Sequence, residues 1–123
     1  MPIVQLELVI RGNFERISGD TLQELADELG EYFQTDRGAT WVKVDYLPFE
    51  QYAENRAELG GEVKPTLVYV LKYRLPPRDR LAQEAKDLAR IVARRLQRPE
   101  ENTHIIFEPD GVGRVAFGGE LVT

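Results

Sequence analysis

Near the start of the chain, Val4, Leu6, Leu8 and Ile10 alternate with Ile3, Gln5, Glu7 and Val9, the period-two pattern of a strand. Leu67, Tyr69, Leu71 and Tyr73 repeat that spacing in the second half. Each of these stretches is followed by apolar residues at helical spacing. Leu22, Leu25, Ala26, Leu29 and Phe33 form one stripe, with Asp20 as the expected N-cap and Glu24 in the first turn. Leu81, Ala85, Leu88, Val92 and Leu96 form the other, introduced by Pro76-Pro77. A second strand is predicted after each helix, over residues 41–46 and Thr103–Phe107. Each half then closes with a loop, a short extended piece and a Gly-Gly pair.

The halves also match residue by residue. The run from Met1 to Arg11 lies over Lys64 to Arg74 at one offset, which brings Pro2 onto Pro65, Leu8 onto Leu71 and Arg11 onto Arg74. Near their ends, Arg56 with Gly60-Gly61-Glu62-Val63 matches Arg114 with Gly118-Gly119-Glu120-Leu121. Two matches in one order point to an internal repeat, residues 2–63 and 64–123, within a single domain spanning 1–123. A crossover as long as each helix implies that the strands it joins run parallel. The expected fold class is therefore α+β: two β-α-β repeats forming a four-stranded mixed sheet with two helices on one face. The other face is expected to carry Val9, Val68, Val70 and Ile106, too apolar for open water, so self-association is expected to cover it.

Composition narrows the function. The 123 residues are 42% hydrophobic and 30% charged, as in an ordinary globular domain. No apolar run is long enough to span a bilayer, and the N-terminus lacks a signal-peptide pattern, so no membrane partner and a cytoplasmic location are expected. The absence of cysteine removes disulfide and thiol chemistry, and one histidine cannot build a multi-histidine metal site. Neither metal nor cofactor is expected. The net charge of −5 weighs against nucleic acid. Arg90, Arg94, Arg95 and Arg98 are read as solvating the negative end of the second helix. Asp110-Gly111-Val112-Gly113 follows a strand without opening a helix, which weighs against a phosphate-binding loop.

With the Met-Pro start, the alternating strand, Leu96-Gln97-Arg98-Pro99, Thr103-His104-Ile105-Ile106-Phe107 and Gly118-Gly119-Glu120-Leu121 in this order, the chain resembles the tautomerase superfamily. That group includes 4-oxalocrotonate tautomerase, the carboxymethyl-hydroxymuconate isomerases, malonate semialdehyde decarboxylase, the chloroacrylic acid dehalogenases and macrophage migration inhibitory factor (MIF). The resemblance implies a homotrimer and a small carboxylated substrate. It also implies removal of the initiator methionine, leaving Pro2 with a free secondary amine as catalyst. An α-amino group titrates at about 7.7–8.0, and an apolar, cation-flanked pocket lowers that value, giving a base able to move a proton beside a carbonyl.

The same resemblance brings Arg37, Arg74, Arg78, His104, Ile106 and Arg114 forward as substrate-binding residues. Arg37 stands where the MIF branch carries a lysine near the proline. His104 occupies a strand position that would reach the pocket from a neighbouring subunit. Arg74 and Arg78 lie where other branches bind a carboxylate, a task suited to bidentate guanidinium pairing. Architectural readings stand beside these. Pro2 and its repeat mate Pro65 can simply start strands, Arg74 is paired in the repeat with Arg11 and Arg114 with Arg56, and a lone histidine on a strand serves hydrogen bonding.

The sequence departs from the short tautomerases at Val115, where they have an aromatic residue, and at Pro76, near their other substrate-binding arginine. Glu108 and Asp110 stand in the region of the water-activating carboxylate of the hydrolytic branches. Three functions follow as expectations. The first is keto-enol tautomerisation with Pro2 as general base. The second is decarboxylase- or dehalogenase-type chemistry with protonated Pro2 as acid. The third is a non-catalytic oligomeric binding protein if Met1 stays attached.

Overall fold

The computed structural model describes residues 1–60 and 64–123. Gly61, Glu62 and Val63, which carry part of the Gly-Gly match, lie outside the described residues. The chain runs β1 (Ile3–Ile10), α1 (Gly19–Phe33), β2 (Trp41–Pro48), β3 (Thr66–Leu71), α2 (Arg78–Leu96), β4 (Thr103–Phe107) and a small hairpin, β5 (Ala116–Phe117) with β6 (Glu120–Leu121). Four strands form one mixed sheet in the order β2-β1-β3-β4. β1 pairs parallel with β2, β3 pairs parallel with β4, and β1 meets β3 antiparallel at the centre. The fold class is the one expected, two β-α-β units in a four-stranded mixed sheet.

The core lies between the sheet and the two helices. Val4, Leu6 and Leu8 of β1 sit opposite Val70, Val68 and Thr66 of β3, and these six residues are buried. Leu25 and Leu29 of α1 and Leu88 and Val92 of α2 close over them. The remaining strand positions point the other way by the alternation of a strand. Across that open face, Trp41, Ile3 and Leu71 form one row, Lys43, Gln5, Tyr69 and Ile106 the next, and Asp45, Glu7, Leu67 and His104 a third.

β3 faces the opposite way from the expectation for it. The sequence predicts Val68 and Val70 on the open face, yet they are fully buried under the helices, and Leu67, Tyr69 and Leu71 line the open face instead. Every residue from Leu67 to Leu71 is apolar, so alternation cannot distinguish the two faces. The repeat offset that superposes the two prolines is one residue out of phase with the pairing, because Leu6 faces Val68 while the offset lays it on Tyr69. Ile106 does lie on the open face, 39% exposed.

Smaller differences also have local causes. Ser18, not Asp20, caps α1, its hydroxyl accepting from the Thr21 amide at 3.1 Å. Starting there moves Glu24 out of the first turn, to pair with Arg95 of α2 at 3.1 Å. Arg94 and Arg95 both reach Glu28, so they tie α2 to α1 rather than only solvating a helix end. Arg98 lies beyond the end of α2 and is buried, donating to the Val9 carbonyl at 2.5 Å. Burial depresses the pKa of its guanidinium, while Glu15 nearby works the other way.

A polar clamp also joins the helices. The Tyr32 hydroxyl donates to Asp87 at 2.8 Å, and Gln83 donates to the same carboxylate at 3.0 Å. The Tyr32 bond, then that of Gln83, holds the Asp87 carboxyl below its ordinary pKa. Burial and then the Asp87 bond push the Tyr32 hydroxyl upward.

Two predictions follow from this core. Truncating Leu29→Ala empties a fully buried site and should cost about 2–5 kcal/mol in urea unfolding, whereas Ile106→Ala on the open face should cost a dilute single chain much less. Tyr32→Phe should cost about 1 kcal/mol at pH 7. Because folding lowers the Asp87 pKa, its contribution is complete above the unfolded value and disappears as pH falls through the folded one. The gap between wild type and Tyr32→Phe should therefore narrow below about pH 4, as urea titrations at pH 7 and at acid pH will measure.

Candidate active site at the chain start

Three strand ends converge where the chain begins. Ile3 pairs with Trp41 at the start of β2 and with Leu71 at the end of β3, so the residues just before β1 enter at the middle of the sheet. The Trp41 amide donates to the Pro2 carbonyl at 3.0 Å, which extends the β1–β2 pairing to the proline. Pro2 itself is buried.

Beside Met1 and Ile3 lies a cavity of about 250 Å³, walled by Gly38, Ala39, Trp41 and Phe117. Its two aromatic rings meet edge to face, with centroids 5.3 Å apart and planes at 82°. Trp41 is fixed by its indole N–H, which donates to the Gly38 carbonyl at 3.0 Å. Phe117 is carried by the β5–β6 hairpin, whose two-residue turn is Gly118-Gly119 with φ of 58° and 88°. Both positions need the left-handed region, which explains the glycine pair.

The hairpin is held to the sheet by the C-terminal residues. Gly113 N–H donates to the Val122 carbonyl at 2.7 Å, and the Tyr73 hydroxyl donates to the Thr123 carbonyl at 2.8 Å. Gly111 donates to the Lys72 carbonyl at 2.8 Å, with the Met1 methyl packed against it. A Cβ at Gly111 would stand 2.6 Å from that methyl and 3.1 Å from the Lys72 carbonyl, so a larger residue requires the Met1 side chain to move. With Met1 attached, the Pro2 nitrogen is a tertiary amide without a proton or usable basicity.

None of the six residues expected to bind substrate lines this cavity within one chain. Arg37 borders a separate cleft of about 520 Å³ among Asp27, Glu31 and Asp36, although the next residue, Gly38, walls the Met1 cavity. Arg74 stacks on Tyr73, 5.4 Å from the ring centre. Arg78 opens α2. Arg114 donates through Nε to the Asp110 carbonyl at 2.9 Å and through Nη2 to that of Pro109 at 3.0 Å, so it braces its own loop. His104 and Ile106 are brought together on the open face of β4, at the edge of the sheet, and His104 also borders an open groove beside α2.

Trp41 and Phe117, which wall the cavity, and Gly111, which packs against Met1, are not among the expected site residues. Two left a signal in the sequence. Trp41 is the only tryptophan and stands at the head of a predicted strand, and Phe117 immediately precedes the Gly-Gly pair. Gly111 left none, because its role depends on contact with Met1, distant in sequence.

No protein-family model and no curated protein matches the sequence. Solved structures do match its fold. The macrophage migration inhibitory factor of Oncomelania hupensis has a TM-score of 0.70 at 18% identity, covering 100% of this chain and 83% of that one. Pt0534, solved after inactivation by 2-oxo-3-pentynoate, has a TM-score of 0.71 at 12% identity, with 98% and 94% of the two chains covered. A fused 4-OT, solved as an asymmetric trimer, has a TM-score of 0.71 at 12% identity, with 97% and 94% covered. The chain has the fold of the tautomerase/MIF superfamily, over its whole length.

Proposed function

We propose that the chain is a tautomerase-like isomerase of small keto or enol carboxylic acids, with Pro2 as general base once Met1 is removed. The observation that carries this reading is the cavity of about 250 Å³ built against the first residues, where β1 and β2 begin. Removing Met1 would enlarge that cavity and turn the amide nitrogen of Pro2 into a secondary amine at its wall. The other walls are apolar. An ammonium is poorly solvated there, so the freed amine is held toward its neutral, proton-accepting form. This favours the base over the acid role of decarboxylase- or dehalogenase-type chemistry. A neutral amine at that wall can take a proton from the carbon beside a carbonyl and return it elsewhere on the substrate. That Pt0534 was inactivated by 2-oxo-3-pentynoate, a small 2-keto acid, supports this substrate class.

The cation that pairs with the substrate carboxylate does not line the cavity in one chain, so assembly completes the site. In this reading the chain is a homotrimer, as the fused 4-OT structure is a trimer. The open face, with Trp41, Leu71, Tyr69 and Ile106, becomes the interface. His104 reaches a neighbour's pocket, Ile106 supplies an apolar wall, and Arg37, Arg74, Arg78 and Arg114 are the candidates for the carboxylate. If Met1 is retained, the same oligomer is a binding protein without a base.

Protein whose intact mass shows Met1 removed should turn over phenylenolpyruvate, and Pro2→Ala should lower kcat/KM by about 10²–10⁴-fold, the usual worth of a general base. Equal rates would refute the base role. Ile106→Asp puts a charge into the proposed interface and should shift the species seen in sedimentation from trimer to monomer, with the core intact by circular dichroism. A trimer that survives this change would refute the open face as its interface.

A further inference from the structure

A second cavity, of about 430 Å³, opens on the helix side of the sheet where α1 ends and α2 begins. Tyr32, Phe33 and Pro76 supply its apolar surface, and Lys72, Arg80 and Glu84 its charges. Glu84 is 8% exposed. Lys72 Nζ donates to its Oε1 at 2.7 Å, while Oε2 is buried with no hydrogen-bond donor. A buried carboxylate oxygen without a donor is unfavourable, and native structures rarely leave one so.

The rest of the cavity has the opposite imbalance. Arg80 lies one turn before Glu84 on α2, and among the described residues it has no carboxylate within ion-pairing distance. Lys72 has one ammonium proton on Glu84, and the group lies 5.2 Å from the centre of the Phe33 ring. α2 is 19 residues long, and its N-cap, Pro77, gives the first turn no side-chain acceptor. Its opening amides therefore lack a side-chain acceptor at the positive end of the helix dipole, which Asp79 partly offsets, and the residues that carry them are exposed. Cationic donors are in excess, and a single buried acceptor is unfilled.

We propose that this cavity binds a small carboxylate bearing a hydrogen-bond donor on the adjacent carbon, an α-amino or α-hydroxy acid. Its carboxylate lies against Arg80, Lys72 and the start of α2, its ammonium or hydroxyl donates to Glu84 Oε2, and its side chain rests on Tyr32, Phe33 and Pro76. A simple anion would leave the Glu84 oxygen unfilled, and a simple cation would face Lys72 and Arg80. A ligand with both groups two bonds apart answers both imbalances, and the volume lies within the range of small-molecule sites. The site is separate from the Met1 cavity, and it does not depend on the state of Pro2.

Nuclear magnetic resonance titration of the full chain with L-alanine, L-lactate and propionate tests it. Alanine or lactate should shift the amides of Tyr32, Phe33 and Gln83 saturably at roughly millimolar concentration, leaving the Trp41 indole unmoved. Propionate, which lacks the donor, should bind about tenfold more weakly. Arg80→Ala, an exposed change that spares the core, should weaken the donor-bearing acids by about tenfold. Glu84→Gln should reduce the preference of the site for alanine over propionate. Tighter alanine identifies the ammonium as the partner of Glu84 and tighter lactate the hydroxyl, and either upholds the proposal. Equal affinity for propionate, no effect of Arg80→Ala, or no saturable shift at any concentration, as when water alone fills the Glu84 oxygen, would overturn it.

Discussion

The antiparallel pairing of β1 with β3 at the centre of the sheet is the constraint on which the other features depend. Once Leu6 faces Val68 and Val4 faces Val70, one face of the central strands is uniformly apolar, and both helices must cover it. The same register puts Ile3 beside Leu71 and leaves Tyr69 and Leu67 on the opposite face. It also decides where the chain starts. Because β1 is flanked on both sides, the residues before it are held at the middle of the sheet, against β2, β3 and the C-terminal hairpin, instead of trailing from an edge. The cavity at the first residues is thus a consequence of topology.

Much of this was legible from spacing alone. The two helical stripes, the four main strands and the parallel pairing within each half follow from periodicity and crossover length, and the structure has them. The face of β3 was not legible. The run from Leu67 to Leu71, apolar at every position, carries no phase, and the matching prolines suggest one that the register contradicts. Only pairing with β1 decides that the two valines go inward and that Leu67, Tyr69 and Leu71 go outward. The role of Arg98 was hidden for a related reason. Its carbonyl partner, Val9, belongs to a strand far away in sequence, so helical spacing could suggest only a solvated face.

Of the candidate site, the sequence pointed to the start of the chain and little further. The Met-Pro start directs attention to Pro2, and the structure has a cavity lined by its neighbours Met1 and Ile3. The walls come from Trp41, Phe117 and the loop at Gly38, brought together by strand order and by the Gly118-Gly119 turn. The arginines singled out by resemblance are dispersed in one chain, and Arg114 is bound to its own loop carbonyls. On the proposed reading this dispersal has a physical meaning. An apolar cavity in one copy favours a neutral amine, and charged groups from another copy can bind the substrate without having to be buried beside that amine during folding.

The central functional claim concerns the protonation of one nitrogen. Titration of the ¹⁵N resonance of Pro2, in protein labelled at proline and shown by mass to lack Met1, reads it directly. A pKa below the range of about 7.7–8.0 of an ordinary α-amino group is the predicted result, with the amine largely neutral at pH 7. A value above that range, or a Pro2 nitrogen that never titrates because Met1 remains attached, would contradict the account.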